Sequence, residues 1–118
     1  MRRYQVPVTT AADGSATALS VVMVGRIYAI HYVKHATTPF ADGVDFTITS
    51  NALGENLWTE ANVNASTVRR PRVFTHAPDG TEITDENREP IAIASDRVKF
   101  VIANGGNVKV GTFHVLIE

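Results

Sequence analysis

The sequence predicts an all-β protein built as an antiparallel β-sandwich, and three observations carry that prediction. Fifteen Val, 8 Ile and 13 Thr stand against only 4 Leu; β-branched side chains suit a pleated surface and lose rotamer freedom in a helix. Asp-Gly steps at 13–14, 42–43 and 79–80, with Asn104-Gly105-Gly106-Asn107, cut the chain into short pieces at residues suited to tight turns. Between these breaks apolar residues recur with period two. Many short strands separated by turns are the pattern of a sandwich or barrel.

Taken in order, Tyr4, Val6 and Val8 alternate with Arg3, Gln5 and Pro7. Pro7 cannot donate a ladder hydrogen bond, so residues 1–10 are expected to form an edge strand or a loosely held N-terminal arm. From Ala18 to Lys34 the chain is apolar on both parities around Gly25. Ile27, Ala29 and Val33 lie on one parity and Tyr28, Ile30 and Tyr32 on the other, which predicts two strands or one bent strand, buried at its centre. Val44, Phe46 and Ile48 alternate with Asp45, Thr47 and Thr49, the pattern of a half-buried strand. Asn56 to Thr59 and Val68 to Thr75 are weaker strand signals.

Residues 79–89 carry Asp79, Glu82, Asp85, Glu86 and Glu89 with Arg88, and read as an exposed loop with at most one helical turn. Further on, Val98, Phe100 and Ile102 alternate with Arg97, Lys99, Val101 and Ala103. The Asn-Gly-Gly-Asn run follows, and a second strand begins at Val108. This predicts a C-terminal β-hairpin whose return strand turns Phe113, Val115 and Ile117 to the core, with Thr112, His114 and Leu116 on the other face. No internal repeat and no linker interrupt the pattern, so residues 1–118 are read as a single domain.

Composition bounds the function. With 11 Lys+Arg against 12 Asp+Glu the net charge is -1, which supplies no bulk field for nucleic acid or an anionic membrane. At this length folding buries roughly two-thirds of the unfolded chain's surface, enough for one core. No apolar run approaches the ~20 residues that span a bilayer, and the basic start lacks the apolar stretch of a signal peptide. A product folding in the cytoplasm is expected. The absence of Cys removes disulfides, thiol nucleophiles and thiolate metal sites.

The chemistry-bearing residues fit no catalytic pattern. His31 and His35 are four apart, a metal-ligand spacing in a helix, but they lie in a strand-like stretch without the Glu of a His-Glu-x-x-His motif. His76 precedes a Pro-Asp-Gly turn, and His114 falls on the outer face of the last strand. Asp42 and Asp45 lack the Asp-x-Asp-x-Asp-Gly pattern of a calcium loop, and the acidic run at 79–89 reads as a solvated face. No nucleophile elbow, phosphate loop or dinucleotide fingerprint is present. Asn64-Ala65-Ser66 matches a glycosylation acceptor, irrelevant without secretion. A non-enzymatic protein with no cofactor and no metal is the expectation.

One charge feature stands apart: Arg69-Arg70-Pro71-Arg72, with Arg2 and Arg3 beside Tyr4 at the N-terminus. Arginines around a proline suit an extended segment whose guanidinium groups make bidentate contacts with another molecule. Arg2, Arg3, Tyr4, Arg69, Arg70 and Arg72 are therefore the candidate partner-binding residues. The alternative for the Arg stretch is an edge strand protected from aggregation by charge.

The phrases Val6-Pro7-Val8-Thr9-Thr10-Ala11-Ala12-Asp13-Gly14-Ser15-Ala16-Thr17, Gly43-Val44-Asp45-Phe46-Thr47-Ile48-Thr49, Asp96 to Ala103 and Gly111 to Val115 resemble small structural proteins of tailed bacteriophages. Among these the chain most resembles the capsid decoration, or cement, proteins, some of which are jelly-roll β-sandwiches. The resemblance implies a jelly-roll-like fold and a virion protein on the outer capsid surface that bridges neighbouring major-capsid subunits. It carries over no catalytic residue and no contact motif. A dimer or trimer is expected, since exposed strand edges invite self-association. Two other readings are a low-copy head-completion, neck or tail component, and a carbohydrate-binding module of a fibre or baseplate. The latter would use Trp58 with Glu55, Asn56, Glu60 and Asn62, although a core or subunit-interface Trp58 fits its size better.

Overall fold

Alternation and turn chemistry resolve into eleven strands among the described residues. The computed structural model describes residues 1–84 and 87–118. The strands are β1 (Arg2–Thr9), β2 (Ala16–Leu19), β3 (Met23–Lys34), β4 (Asp45–Ser50), β5 (Asn56–Glu60), β6 (Thr67–Arg69), β7 (Arg72–Phe74), β8 (Arg88–Pro90), β9 (Ala92–Asp96), β10 (Val98–Ala103) and β11 (Val110–Ile117). One sheet runs β1-β11-β3-β6 with β9 also on β3, a second runs β2-β10-β4-β5, and β7 and β8 form a small ribbon. All the named strand pairs are antiparallel. The expected antiparallel sandwich is the fold observed.

The path is that of a jelly roll. β1 pairs with β11, β2 with β10, β3 with β6 and β4 with β5. The β11–β3 and β10–β4 ladders join those pairs into two facing sheets. The expected C-terminal hairpin is corrected here: β10 and β11 lie in different sheets and share no ladder. Asn104, Gly106 and Val108 do take positive φ, at 59°, 86° and 50°, but they turn the chain across the sandwich. Three long-range bonds hold that corner: Gly105 N–H donates to Gly14 O at 2.8 Å, Ala41 N–H to Gly105 O at 3.0 Å, and Thr10 Oγ1 to Gly106 O at 2.7 Å.

The ambiguous apolar stretch becomes two strands, and the second is also bent. The β3–β11 register slips between Leu116↔Ala29 and Ile117↔Ile27, leaving Tyr28 unpaired. That bulge switches the parity that faces the core, from Met23 and Ile27 before it to Ile30 and Tyr32 after it. β1 is an edge strand, the first of the two expected alternatives, and it pairs with β11 along its whole length from Arg2↔Ile117 to Thr9↔Val110. The acidic segment is only partly a loop, since His76 and Glu82 form a bridge and Arg88 opens β8; Asp85 and Glu86 lie outside the described residues.

One apolar cluster fills the space between the sheets. Tyr32, Phe40, Phe46, Phe113, Phe100 and Trp58 meet in edge, tilted and stacked arrangements, with Phe100 and Phe113 4.7 Å apart and Tyr32 and Phe46 4.8 Å apart. Such pairs add about 0.5–1.5 kcal/mol each beyond area burial. Phe113, Val115 and Ile117 all face this core, as their alternation predicts.

Candidate binding surface

The three arginines of the 69–72 stretch take different surroundings. Arg69, at the end of β6, donates from Nε to Glu60 Oε1 at 2.8 Å and from Nη2 to Glu60 Oε2 at 3.0 Å. Trp58 Nε1 donates to the same Glu60 Oε1 at 3.0 Å. These donors hold the Glu60 carboxyl below the usual carboxylate range, the Arg69 hydrogen bonds most and the Trp58 bond next. Arg72 turns inward instead: Nη1 donates to Pro71 O at 2.8 Å and Tyr28 O at 3.2 Å, with its guanidinium 5.5 Å from the Tyr28 ring centroid. It thereby gives the carbonyl of Tyr28, the residue skipped in the β3–β11 register, a side-chain donor. Arg70 is exposed between them. In β1, Arg2 and Arg3 are exposed and Tyr4 is half-buried against the core.

The exposed apolar residues are gathered at one end of the sandwich. Antiparallel pairing brings together the start of β1, the β2–β3 loop, the β4–β5 loop, the β9–β10 turn and the end of β11. That end carries Met1, Leu19, Val21, Val22, Val24 and Leu53, six of the nine large hydrophobic residues exposed among the described residues; Val33, Val73 and Val108 lie elsewhere. Val24 is 69% and Leu53 86% exposed. Leu53 is held there because Asn51 N–H donates to Arg97 O at 2.8 Å and Ala52 N–H donates to the Asp96 carboxylate at 3.0–3.1 Å. Val21 and Val22 are placed by Ser20, whose N–H donates to Val98 O at 2.9 Å and whose carbonyl accepts from Arg97 Nη1 at 2.9 Å. Arg26, 3.6 Å from Glu118, and Arg2 complete the rim. Large apolar side chains gathered in the open within a polar rim are a feature of interaction sites.

A second feature lies on the outer face of the first sheet. His31 and His114 stand opposite one another in the β3–β11 ladder, and Arg3 is opposite the neighbouring Leu116. Arg3, His31, His114, Val33 and Leu116 line a shallow cleft of about 370 Å³. His114 Nδ1 is buried there without a hydrogen-bond partner. Burial first, then the charges of Arg3 and His31, hold the His114 imidazole below its ordinary pKa of 6.5. His35 does not join His31: its Nδ1 accepts the N–H groups of Thr37 and Thr38 at 3.2 and 3.0 Å.

The remaining candidates serve the fold or sit apart. Trp58 is 5% exposed, so no aromatic platform faces solvent beside Glu55, Asn56, Glu60 and Asn62; the core reading of Trp58 holds, and the sugar-binding arrangement is corrected. Asp45 accepts from Asn62 N–H at 3.1 Å and Asn104 Nδ2 at 2.8 Å, tying two loops together. His76, 3.9 Å from Glu82, lies in an open cleft of about 570 Å³ with Glu55, Arg72, Phe74 and Arg88. Among the described residues no group of three or more His, Asp or Glu side chains could hold a metal ion, and no helix is long and apolar enough to cross a membrane.

Sequence reasoning placed Arg2, Arg3 and Tyr4 in the strand beside both surfaces, but missed the apolar end and the His31–His114 pairing. The first had a signal, the run Leu19-Ser20-Val21-Val22-Met23-Val24; the second depends on long-range register and had none. No family model matches the chain, and no curated protein matches it. Among solved structures, the crystal structure of FLHE aligns at a TM-score of 0.47 and 12% identity, covering 97% of this chain and 94% of that chain.

Proposed function

We propose that this chain is a non-enzymatic structural protein that docks by one end of its sandwich onto a larger protein assembly, and that the assembly is a phage capsid decorated on its outside. The single observation behind the docking is the gathering of Met1, Leu19, Val21, Val22, Val24 and Leu53 at that end. Apart from Met1, these residues lie in ladders or in loops tied down by backbone hydrogen bonds, so little ordering entropy is lost on contact. The sequence resemblance supplies the class of partner, a major capsid protein. Retention on the shell would add stability by mass action, because only the folded state binds. Many weak feet on a repeating lattice hold tightly when the copies contact one another as a dimer or trimer.

The test is retention on particles. Val22→Asp and Val24→Asp place charge on the apolar end at exposed positions, where substitutions change stability by about 0.5 kcal/mol or less. Both variants are expected to fold like the parent and to be lost from purified DNA-filled heads. Full occupancy of heads by both variants contradicts the proposal. A parent protein found at a few copies per particle places it instead at the neck or tail.

A further inference from the structure

We infer that the free edge of β1 takes an extended acidic segment of a partner polypeptide, added as a strand, with its carboxylates held on the outer sheet face by Arg3, His31 and His114. The backbone sets the register. In an antiparallel ladder, residues that exchange hydrogen bonds alternate with residues whose N–H and C=O point away. Thr10 N–H donates to Lys109 O at 2.8 Å, next to the Thr9↔Val110 pair, so the bonded positions of β1 are the even residues. Arg3, Gln5 and Pro7 therefore aim their backbone at the free edge. Pro7 has no N–H to offer, which limits an added strand to the stretch that includes Arg3 and Gln5.

The side chains set the chemistry. A residue placed opposite Arg3 or Gln5 in an added strand projects onto the same face as Arg3 and His114. The ionisable groups on that face are Arg3 from β1, His114 from β11 and His31 from β3. β6 contributes Val68, and Glu118, at the end of the row, is engaged with Arg26. Three cationic or potentially cationic groups thus converge in a cleft whose lining holds no carboxylate, between the apolar Val33 and Leu116. The unpartnered Nδ1 of His114 adds a nitrogen whose protonated form lacks a counter-charge. A carboxylate supplies that charge, and an extended chain also satisfies the edge N–H groups of Arg3 and Gln5, which a free carboxylate does not. This surface adjoins the apolar end where Arg26 and Glu118 meet, and it stands whether or not the partner there is a capsid.

The experiment follows the imidazole C–H signals of His31 and His114 and the backbone amides of Arg3 and Gln5 by NMR in the full chain. A blocked hexaglutamate peptide is titrated in, then acetate at matched carboxylate concentration. The peptide is expected to shift both rings, raise the His114 pKa, perturb the two edge amides and bind about ten-fold more tightly than acetate per carboxylate. Arg3→Gln, at an exposed position, should weaken peptide binding about five-fold, the worth of one exposed ion pair, while His31→Gln removes the shift of its neighbour in part. Rings unmoved by the peptide, equal binding of peptide and acetate per carboxylate, or peptide binding indifferent to Arg3→Gln would each overturn the inference.

Discussion

Arg69 grips Glu60 with two parallel hydrogen bonds, 2.8 and 3.0 Å, across the gap between the edge strands β6 and β5 of the two sheets. The indole N–H of Trp58 shares the same carboxylate, and the Arg69 guanidinium lies 5.9 Å from the Trp58 ring centroid. A sequence feature that reads as a docking stretch is in large part an inter-sheet clasp over a core tryptophan. Both side chains are partly exposed, so solvent screens the pair. Arg69→Ala and Glu60→Gln should each lower unfolding free energy by about 0.5–1 kcal/mol in denaturant titration, whereas Arg70→Ala should leave it unchanged.

The same pair has a pH signature. Glu60 binds a proton less readily folded than unfolded, so its contribution is present above the ordinary carboxylate pKa and is lost as pH falls through the lower folded value. Stability curves of parent and Glu60→Gln should converge on the acid side and separate above it.

Arg72 should prove more costly to remove than Arg69. Its guanidinium caps the Tyr28 carbonyl at the β3 bulge and Pro71 O from a half-buried position. Arg72→Ala leaves a bulge carbonyl without its donor, and a loss of about 1–2 kcal/mol is expected in the same titration.

His114 gives the opposite pH slope from a raised imidazole. Its folded pKa is depressed by burial and by Arg3 and His31, so between the unfolded value of 6.5 and the lower folded value the unfolded chain binds more protons and stability rises as pH rises. His114→Gln should flatten the melting-temperature profile below 6.5. Arg3→Gln should raise the His114 pKa, read from its ring shift.

Tyr32 is 1% exposed and its hydroxyl has no partner; burial pushes its pKa up to about 12. An unsatisfied buried hydroxyl costs about 1–3 kcal/mol, so Tyr32→Phe is expected to be neutral or stabilising. Gly111 beside it has no room for a methyl group: an added Cβ would stand 2.4 Å from Phe40 Cε2 and 2.9 Å from Tyr32 Cε1. Gly111→Ala should cost about 1–3 kcal/mol through overpacking.

Much of the fold was legible because it is local. Val44-Phe46-Ile48 and Phe113-Val115-Ile117 alternate because one side of each strand meets the core, and period two records that directly. Pro7 gave the edge position of β1, since a residue without N–H is tolerated where the backbone faces no partner. The sheet-to-sheet corner at 104–109 was not legible: Asn and Gly accept positive φ equally in a hairpin and in a crossing, and the deciding bonds come from Gly14 and Ala41, remote in sequence. The Tyr28 bulge was legible only as apolarity on both parities. The apolar end was missed for a related reason: Val21, Val22 and Val24 continue a buried run in sequence while standing outside the core in space.

The docking role is tested most directly by mass spectrometry with copy-number estimation across a density gradient of a lysate from the phage or host that encodes the chain, comparing the parent with Val22→Asp. The expected result is parent protein travelling with DNA-filled particles at an abundance comparable to the major shell protein, and variant left in the soluble fractions. Parent protein confined to the soluble fractions would contradict the assignment to a capsid surface.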